Sequence, residues 1–177
     1  MQSSTEHADG HPGGVAPEDL PHLRRCVDLA AEAVAAGDHP FGSVLVAADG
    51  GVLAEERNRV VSAGDETRHP EFDLARWAQL NLTSAQRATA TVFTSGEHCP
   101  MCSAAHGWVG LGRIVYVCSA AQLAGWLAEW GVPASPVRPL PVQEVAPNVV
   151  VAGPIPELED EMRALHRRRF HPYEASR

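Results

Sequence analysis

"ATVFTSGEHCPMCSAAHGWVGLGRIVYVCS", residues 90–119, changes its hydrophobic rhythm twice. "ATVFTS" reads as a strand, and "PMCSAAHGWVGLG" as a helix that stops at Gly110 or Gly112. "RIVYVCS" is almost wholly apolar, which marks a strand buried on both faces and central in its sheet. Within this strand–helix–strand unit, Cys99 and Cys102 stand three positions apart at the expected start of the helix.

Upstream, "PEDLPHLRRCVDLAAEAVAAG" (17–37) spaces Leu23, Val27, Ala30, Ala31 and Val34 as a helix does, with Gly37 as its stop. "FGSVLVAADGGVLAEERNRVV" then predicts a hairpin that turns at Asp49-Gly50-Gly51. "SAGDETRHP" reads as loop. From Pro70, "PEFDLARWAQLNL" is a helix with Phe72, Ala75, Trp77, Ala78 and Leu82 on its apolar face. Downstream come a short helix "AAQLAGWLAEWG" and a proline-rich connection with a candidate strand at Val142–Val145. A strand "VVVAG" and an amphipathic closing helix "PELEDEMRALHRRRF" end the pattern.

A hairpin followed by alternating strands and helices predicts an α/β protein, a three-layer α/β/α sandwich around a five-stranded mixed sheet. The helix between the fourth and fifth strands is a crossover, so those two are expected to run parallel. With 177 residues and no repeats, one domain over residues 17–177 is expected behind a flexible polar tail at 1–16.

Composition excludes several classes. No apolar run is long enough to cross a bilayer. The start of the chain lacks the basic and apolar regions of a signal peptide. Four cysteines without export signals argue against a disulfide framework, so the reducing cytoplasm is the expected compartment. The formal charge of −8 weighs against nucleic acid as a main partner. "LHRRRFHPY" is a local basic cluster of the kind that complements a helix C-terminus.

Cys99 and Cys102 carry three readings: a redox pair, half of a structural zinc site, or two ligands of a catalytic zinc. Pro100 suits a first helical turn, because its missing N–H has no partner there anyway. Cysteines at i and i+3 around that turn reach one point, and the helix N-terminus favours their thiolates. The pair alone leaves all three readings open. "TRHPEFDLA" (67–75) shifts the balance, since His69 precedes a helix start and Glu71 lies in its first turn. His69, Cys99 and Cys102 make three zinc ligands and leave one tetrahedral position open, as catalytic sites do. Glu71 is then the base beside that position. Zinc, two thiolates and a neutral imidazole sum to zero charge, so a neighbouring carboxylate to take a proton is chemically useful.

"HPE" at 69–71 followed by "HCPMC" at 98–102 resembles the signature of the zinc-dependent cytidine deaminase superfamily. "AGDHPFGSVLVAADGGVLAEERNRVVSAGDETRHPE" resembles the opening of its guanine deaminase, cytosine deaminase and tRNA adenosine deaminase branch. The resemblance implies a cytidine deaminase-like fold, one Zn²⁺ per chain and Glu71 as proton shuttle. It implies hydrolytic deamination of a small amino-substituted nitrogen heterocycle, whether free base, nucleoside or amino-azine, with release of ammonia. It further implies that Asn58 reads the polar edge of the heterocycle, that Phe41 lines the ring pocket, and that the protein is a homodimer. Tyr173 in the C-terminal segment is a candidate pocket cover. The sequence departs from the branch at Pro70, where alanine is usual, and at His98, where proline is usual. It also lacks the acid that guanine deaminases carry soon after the fourth strand. His98 is a candidate substrate contact, a fourth metal ligand, or a loop residue pointing away, the last being the plainest expectation. Two other functions fit the same residues. One is a tRNA adenosine deaminase using "RRRF" as a phosphate anchor, and the other a non-catalytic zinc protein with His98 closing the metal site.

Overall fold

A computed structural model of the chain describes residues 14–170. Tyr173 and residues 1–13 of the expected tail lie outside the described residues. After a single 3₁₀ turn at Pro17–Asp19, helix α1 (Leu20–Ala35) leads into the hairpin β1 (Gly42–Val46) and β2 (Val52–Arg57). Helices α2 (Val60–Ala63), α3 (Pro70–Asn81) and α4 (Ser84–Thr89) follow, then β3 (Thr91–Gly96) and α5 (Pro100–Val109). The remainder is β4 (Arg113–Cys118), α6 (Ala120–Glu129), α7 (Val142–Val145), β5 (Val151–Ala152) and α8 (Pro156–Phe170).

The five strands form one mixed sheet in the order β2-β1-β3-β4-β5. β1 is antiparallel to both β2 and β3, whereas β3–β4 and β4–β5 are parallel. The strand period of two sends alternate residues to opposite faces. Val44, Val46, Phe93, Val115 and Val117 pack with α1 and α8 through Leu23, Val27, Met162 and Leu165. Leu45 and Val92 pack on the other face with Leu74, Ala75 and Ala78 of α3. The expected three layers and the parallel β4–β5 pair are therefore present. β4 is an inner strand, but β3 occupies the middle of the sheet.

α1 sits directly on the backbone of β1. A Cβ at Gly42 would lie 2.3 Å from Leu29 Cβ and 2.6 Å from the carbonyl oxygen of Cys26. Only a residue without a side chain lets the helix pack this closely.

Four local expectations need correction, and one further element, α4, lies where none is expected. Val142–Val145 is a helical turn and not a strand. Its first N–H is satisfied by Glu97, whose Oε1 accepts from Val142 N at 3.0 Å, a contact 45 residues away in sequence. The strand expected from "VVVAG" pairs over only two residues, because Pro154 has no N–H with which to extend a ladder. A short helix, α4, occupies 84–89 behind a capping box in which Thr83 and Gln86 exchange side-chain-to-backbone bonds. The loop expected at 62–70 begins inside the helical turn α2. On α3, Ala75 and Ala78 are deeply buried as expected, together with Leu74, while Phe72 and Trp77 are only half-buried.

α8 buries an unusual group. His166 is fully buried between Phe41, Trp126 and Phe170, and neither of its ring nitrogens is hydrogen-bonded among the described residues. Burial, reinforced by nearby His39, pushes its pKa down from 6.5 to about 3. The unfolded chain therefore binds a proton below pH 6.5 that the folded chain refuses until about pH 3, so stability falls as pH drops through that window. We expect His166→Met to make the decline from pH 6 to pH 4 shallower, by up to about 1.4 kcal/mol per pH unit. Urea unfolding midpoints at several pH values measure this, and equal slopes in the two proteins would refute it.

Candidate active site

His69 and Cys99 hold equivalent places in the chain. Each is the N-cap of a helix, α3 and α5, in extended conformation, and each is followed by proline at the first helical position. Their carbonyls accept the first helical bonds, from Asp73 N at 3.0 Å and Ser103 N at 2.8 Å. This accounts for Pro70. At that position a proline loses no hydrogen bond, and its fixed φ starts the helix.

Two helix N-termini thus converge. His69 Nδ1 lies 3.6 Å from Cys99 Sγ and 3.6 Å from Cys102 Sγ, and the two sulfurs are 3.5 Å apart. Tetrahedral zinc with bonds of about 2.3 Å to sulfur and about 2.05 Å to nitrogen requires separations of about 3.5–3.8 Å. The donor set and the triangle fit zinc. Among the described residues, His69, Cys99 and Cys102 are the group of at least three such side chains gathered closely enough to share an ion. His98 is not in that group.

The electrostatics suit a cation. Contact with Cys102, together with His69, holds the Cys99 thiol down to about 4 against the opposing effect of burial. Cys102 is pushed up by the Cys99 contact and by burial, so without metal the two sulfurs share one proton. A metal ion deprotonates such a ligand outright. Burial alone would lower His69, but Cys99 and the Glu71 carboxylate outweigh it and raise it.

Glu71, on the first turn of α3, is 5% exposed. Its Oε2 lies 3.8 Å from Cys102 Sγ, at the edge of the metal triangle. Its Oε1 accepts a hydrogen bond from Thr94 Oγ1 at 2.9 Å. Burial pushes its carboxyl above the ordinary range, with His69 opposing.

Asn58 is buried just beyond the end of β2, and Phe41 just before β1. Asn58 N donates to Phe41 O at 2.9 Å. The Asn58 Oδ1 accepts from the backbone N–H of His39 (3.3 Å) and Val60 (3.1 Å), which turns the amide so that Nδ2 is its remaining donor. The buried Asp38 carboxylate anchors both sides of this turn, accepting from Arg57 Nη1 at 2.9 Å and from Ser62 N at 2.7 Å. Arg59 N bonds to Arg68 O, which brings the Asn58 turn beside His69. Phe41 packs against Gly96, where a Cβ would lie 2.9 Å from its ring.

His98 is a loop residue turned away from the metal donors, as expected, but it points into the protein and not to solvent. His98 is 1% exposed and meets His106 of α5 edge-on, with ring centroids 5.3 Å apart. Burial keeps its imidazole neutral well below pH 6.5. Glu129, the first acid after β4, sits at the end of α6 and pairs with Arg163 of α8. Sequence reasoning missed Thr94, Ser43 and Asp38. The available signal was polar side chains inside or beside strands that are otherwise apolar.

Residues 17–118 match the cytidine and deoxycytidylate deaminase zinc-binding region. A guanine deaminase of Bacillus subtilis is 40% identical over 95 residues, which make up 53% of this chain and 60% of that protein. A probable cytosine deaminase of Schizosaccharomyces pombe is 33% identical over 99 residues, 56% of this chain and 59% of that one. The chain thus spans about 60% of the length of these curated relatives. The guanine deaminase structure from Nitrosomonas europaea superposes with a TM-score of 0.66, over 88% of this chain and 85% of that one. At 24% identity that likeness is one of fold, and it makes the expected cytidine deaminase-like architecture a finding.

Proposed function

Because this chain belongs to the family of the cytidine and deoxycytidylate deaminase zinc-binding region, we propose that it is a zinc-dependent hydrolytic deaminase. Its substrate is a small amino-substituted nitrogen heterocycle of the guanine or cytosine type, as a free base, a nucleoside or a related amino-azine. One observation carries the reading: a buried carboxylate, Glu71, lies 3.8 Å from one corner of a three-donor zinc triangle.

When bound to His69, Cys99 and Cys102, zinc acts as a Lewis acid that makes water a usable nucleophile at neutral pH. Glu71 takes one proton from the attacking water and passes it to the ring nitrogen, then takes the second from the hydroxyl now on the carbon and passes it to the departing amine. The C–N bond breaks, a C–O bond forms, and ammonia leaves. Asn58 Nδ2 donates to an acceptor on the heterocycle, and the Phe41 ring forms the wall beside Gly96. The full activity is proposed for residues 17–177 as one domain, acting as a homodimer in the cytoplasm. Among the described residues no helix is long and apolar enough to cross a membrane.

The non-catalytic zinc reading requires a fourth protein ligand. The gathered donors among the described residues are three, and His98 is turned to His106. The tRNA reading needs a free basic anchor, and the net charge of −8 opposes one.

An ammonia-release screen of the zinc-loaded protein tests the proposal, using guanine, cytosine, adenine, their nucleosides and aminotriazines. Turnover of at least one compound that disappears on chelation is the expected result. Absence of ammonia from all of them by the zinc-loaded protein would overturn it. Steep salt-dependent binding of tRNA in a filter assay would favour the tRNA reading instead.

A further inference from the structure

Two hydroxyls lie deep in the sheet on the α3 side, among apolar residues. Ser43 of β1 and Thr94 of β3 are directly opposite each other in the antiparallel register, and both are 0% exposed. Strand alternation puts them on the same face as Leu45 and Val92, beneath α3. A polar pair so placed needs hydrogen-bond partners.

The bonds form a chain. Ser43 Oγ donates to Thr94 Oγ1 at 2.9 Å, and Thr94 Oγ1 donates to Glu71 Oε1 at 2.9 Å. Thr94 has one hydroxyl proton and two acceptors in reach, Glu71 Oε1 and the Gly96 carbonyl at 3.0 Å. The carboxylate is the stronger acceptor when ionised. When Glu71 carries a proton, the hydroxyl can share its own with Gly96 at almost no change in geometry.

We infer that the Ser43–Thr94 hydroxyl chain positions Glu71, fixing Oε1 so that Oε2 faces the zinc triangle. Ser43 and Thr94 are positioning residues, since neither touches the metal donors. The inference rests on the proposed role of Glu71. Without Thr94, Oε1 loses its side-chain donor, and the remaining contacts, from the Glu71 backbone N–H and from Cys102 Sγ at Oε2, no longer hold the carboxylate plane from the sheet side. The heterocycle would still bind, but the proton acceptor would be misaimed.

The test uses the zinc-loaded full chain with Thr94→Val, Thr94→Ser and Ser43→Ala. Valine keeps the shape of threonine without the donor, and serine keeps the donor. Thr94→Val is expected to retain zinc and to lose about 10- to 100-fold in kcat, the worth of one hydrogen bond to a charged group. Its KM should stay within about threefold, as for a group acting after binding. Thr94→Ser is expected to recover most of the lost kcat, and Ser43→Ala to lose less than Thr94→Val. A crystal structure of zinc-loaded Thr94→Val should show the Glu71 carboxylate rotated away from its wild-type plane.

An unchanged kcat in Thr94→Val, or an unrotated Glu71, overturns the inference. So does loss of zinc in Thr94→Val, which would make the hydroxyl a structural support for the metal site. If the wild-type protein deaminates nothing, the deaminase reading fails, and the crystal structure alone still decides whether the hydroxyl chain orients Glu71.

Discussion

Glu71→Gln is expected to bind zinc as the unchanged protein does and to lose about 10²- to 10⁴-fold in kcat, the range that a positioned acid–base group contributes. Glutamine matches glutamate in volume and keeps an oxygen for the Thr94 hydroxyl to donate to, 2.9 Å away in the native protein. It cannot accept a proton from water. The metal donors are untouched, because His69, Cys99 and Cys102 supply the triangle without Glu71. Zinc content by elemental analysis and kcat on a heterocycle found by the ammonia screen make the measurement. Turnover close to wild type would remove Glu71 from the proton-shuttle role.

Cys99→Ala is expected to abolish both zinc binding and turnover. Two donors remain, His69 Nδ1 and Cys102 Sγ at 3.6 Å, and two ligands do not hold zinc against buffer. The thiol lost is the one that the fold holds down to about 4, the readier of the two sulfurs to meet a cation as thiolate. Stability changes as well. A ligand present at 10³ times its dissociation constant stabilises the folded state by about 4 kcal/mol. Chelation should therefore lower the melting temperature of the native protein and leave Cys99→Ala unmoved. A Cys99→Ala protein that still holds stoichiometric zinc would refute the three-donor assignment. Together the two variants separate metal binding from proton transfer.

Much of this site was legible in the chain because its information is local. Cys99-Pro100 and His69-Pro70 each announce a helix start. An i, i+3 pair on a first turn shares a face whatever the rest of the protein does. The hairpin, α1, α3, α5 and α8 follow from periods of two and 3.6. Val142–Val145 failed for the opposite reason. Four residues carry too little period to separate strand from helix, and Glu97, remote in sequence, settled the matter by accepting the first N–H of the turn. α4 was legible in principle, since Thr83 and Gln86 have the spacing of a capping box. His98 is the loop residue that the sequence suggests, but nothing in its neighbours shows that it is buried. In the folded protein it packs edge-on against His106, in the second turn of α5.

The sequence by itself determined the layered α/β class and singled out the residues proposed as metal donors and the carboxylate proposed to work beside them. These depend on residue type, on spacing at each helix start and on the order of the elements along the chain. Only the tertiary structure decided how the two helix N-termini meet, with His69 and Cys99 thirty positions apart yet 3.6 Å across the triangle. It also decided which way the Asn58 amide faces, and that Ser43 and Thr94 stand opposite each other beneath Glu71. Such contacts depend on strand register and on how a helix sits over a sheet. Both are set by the packing of many residues at once, and no single stretch of chain records them.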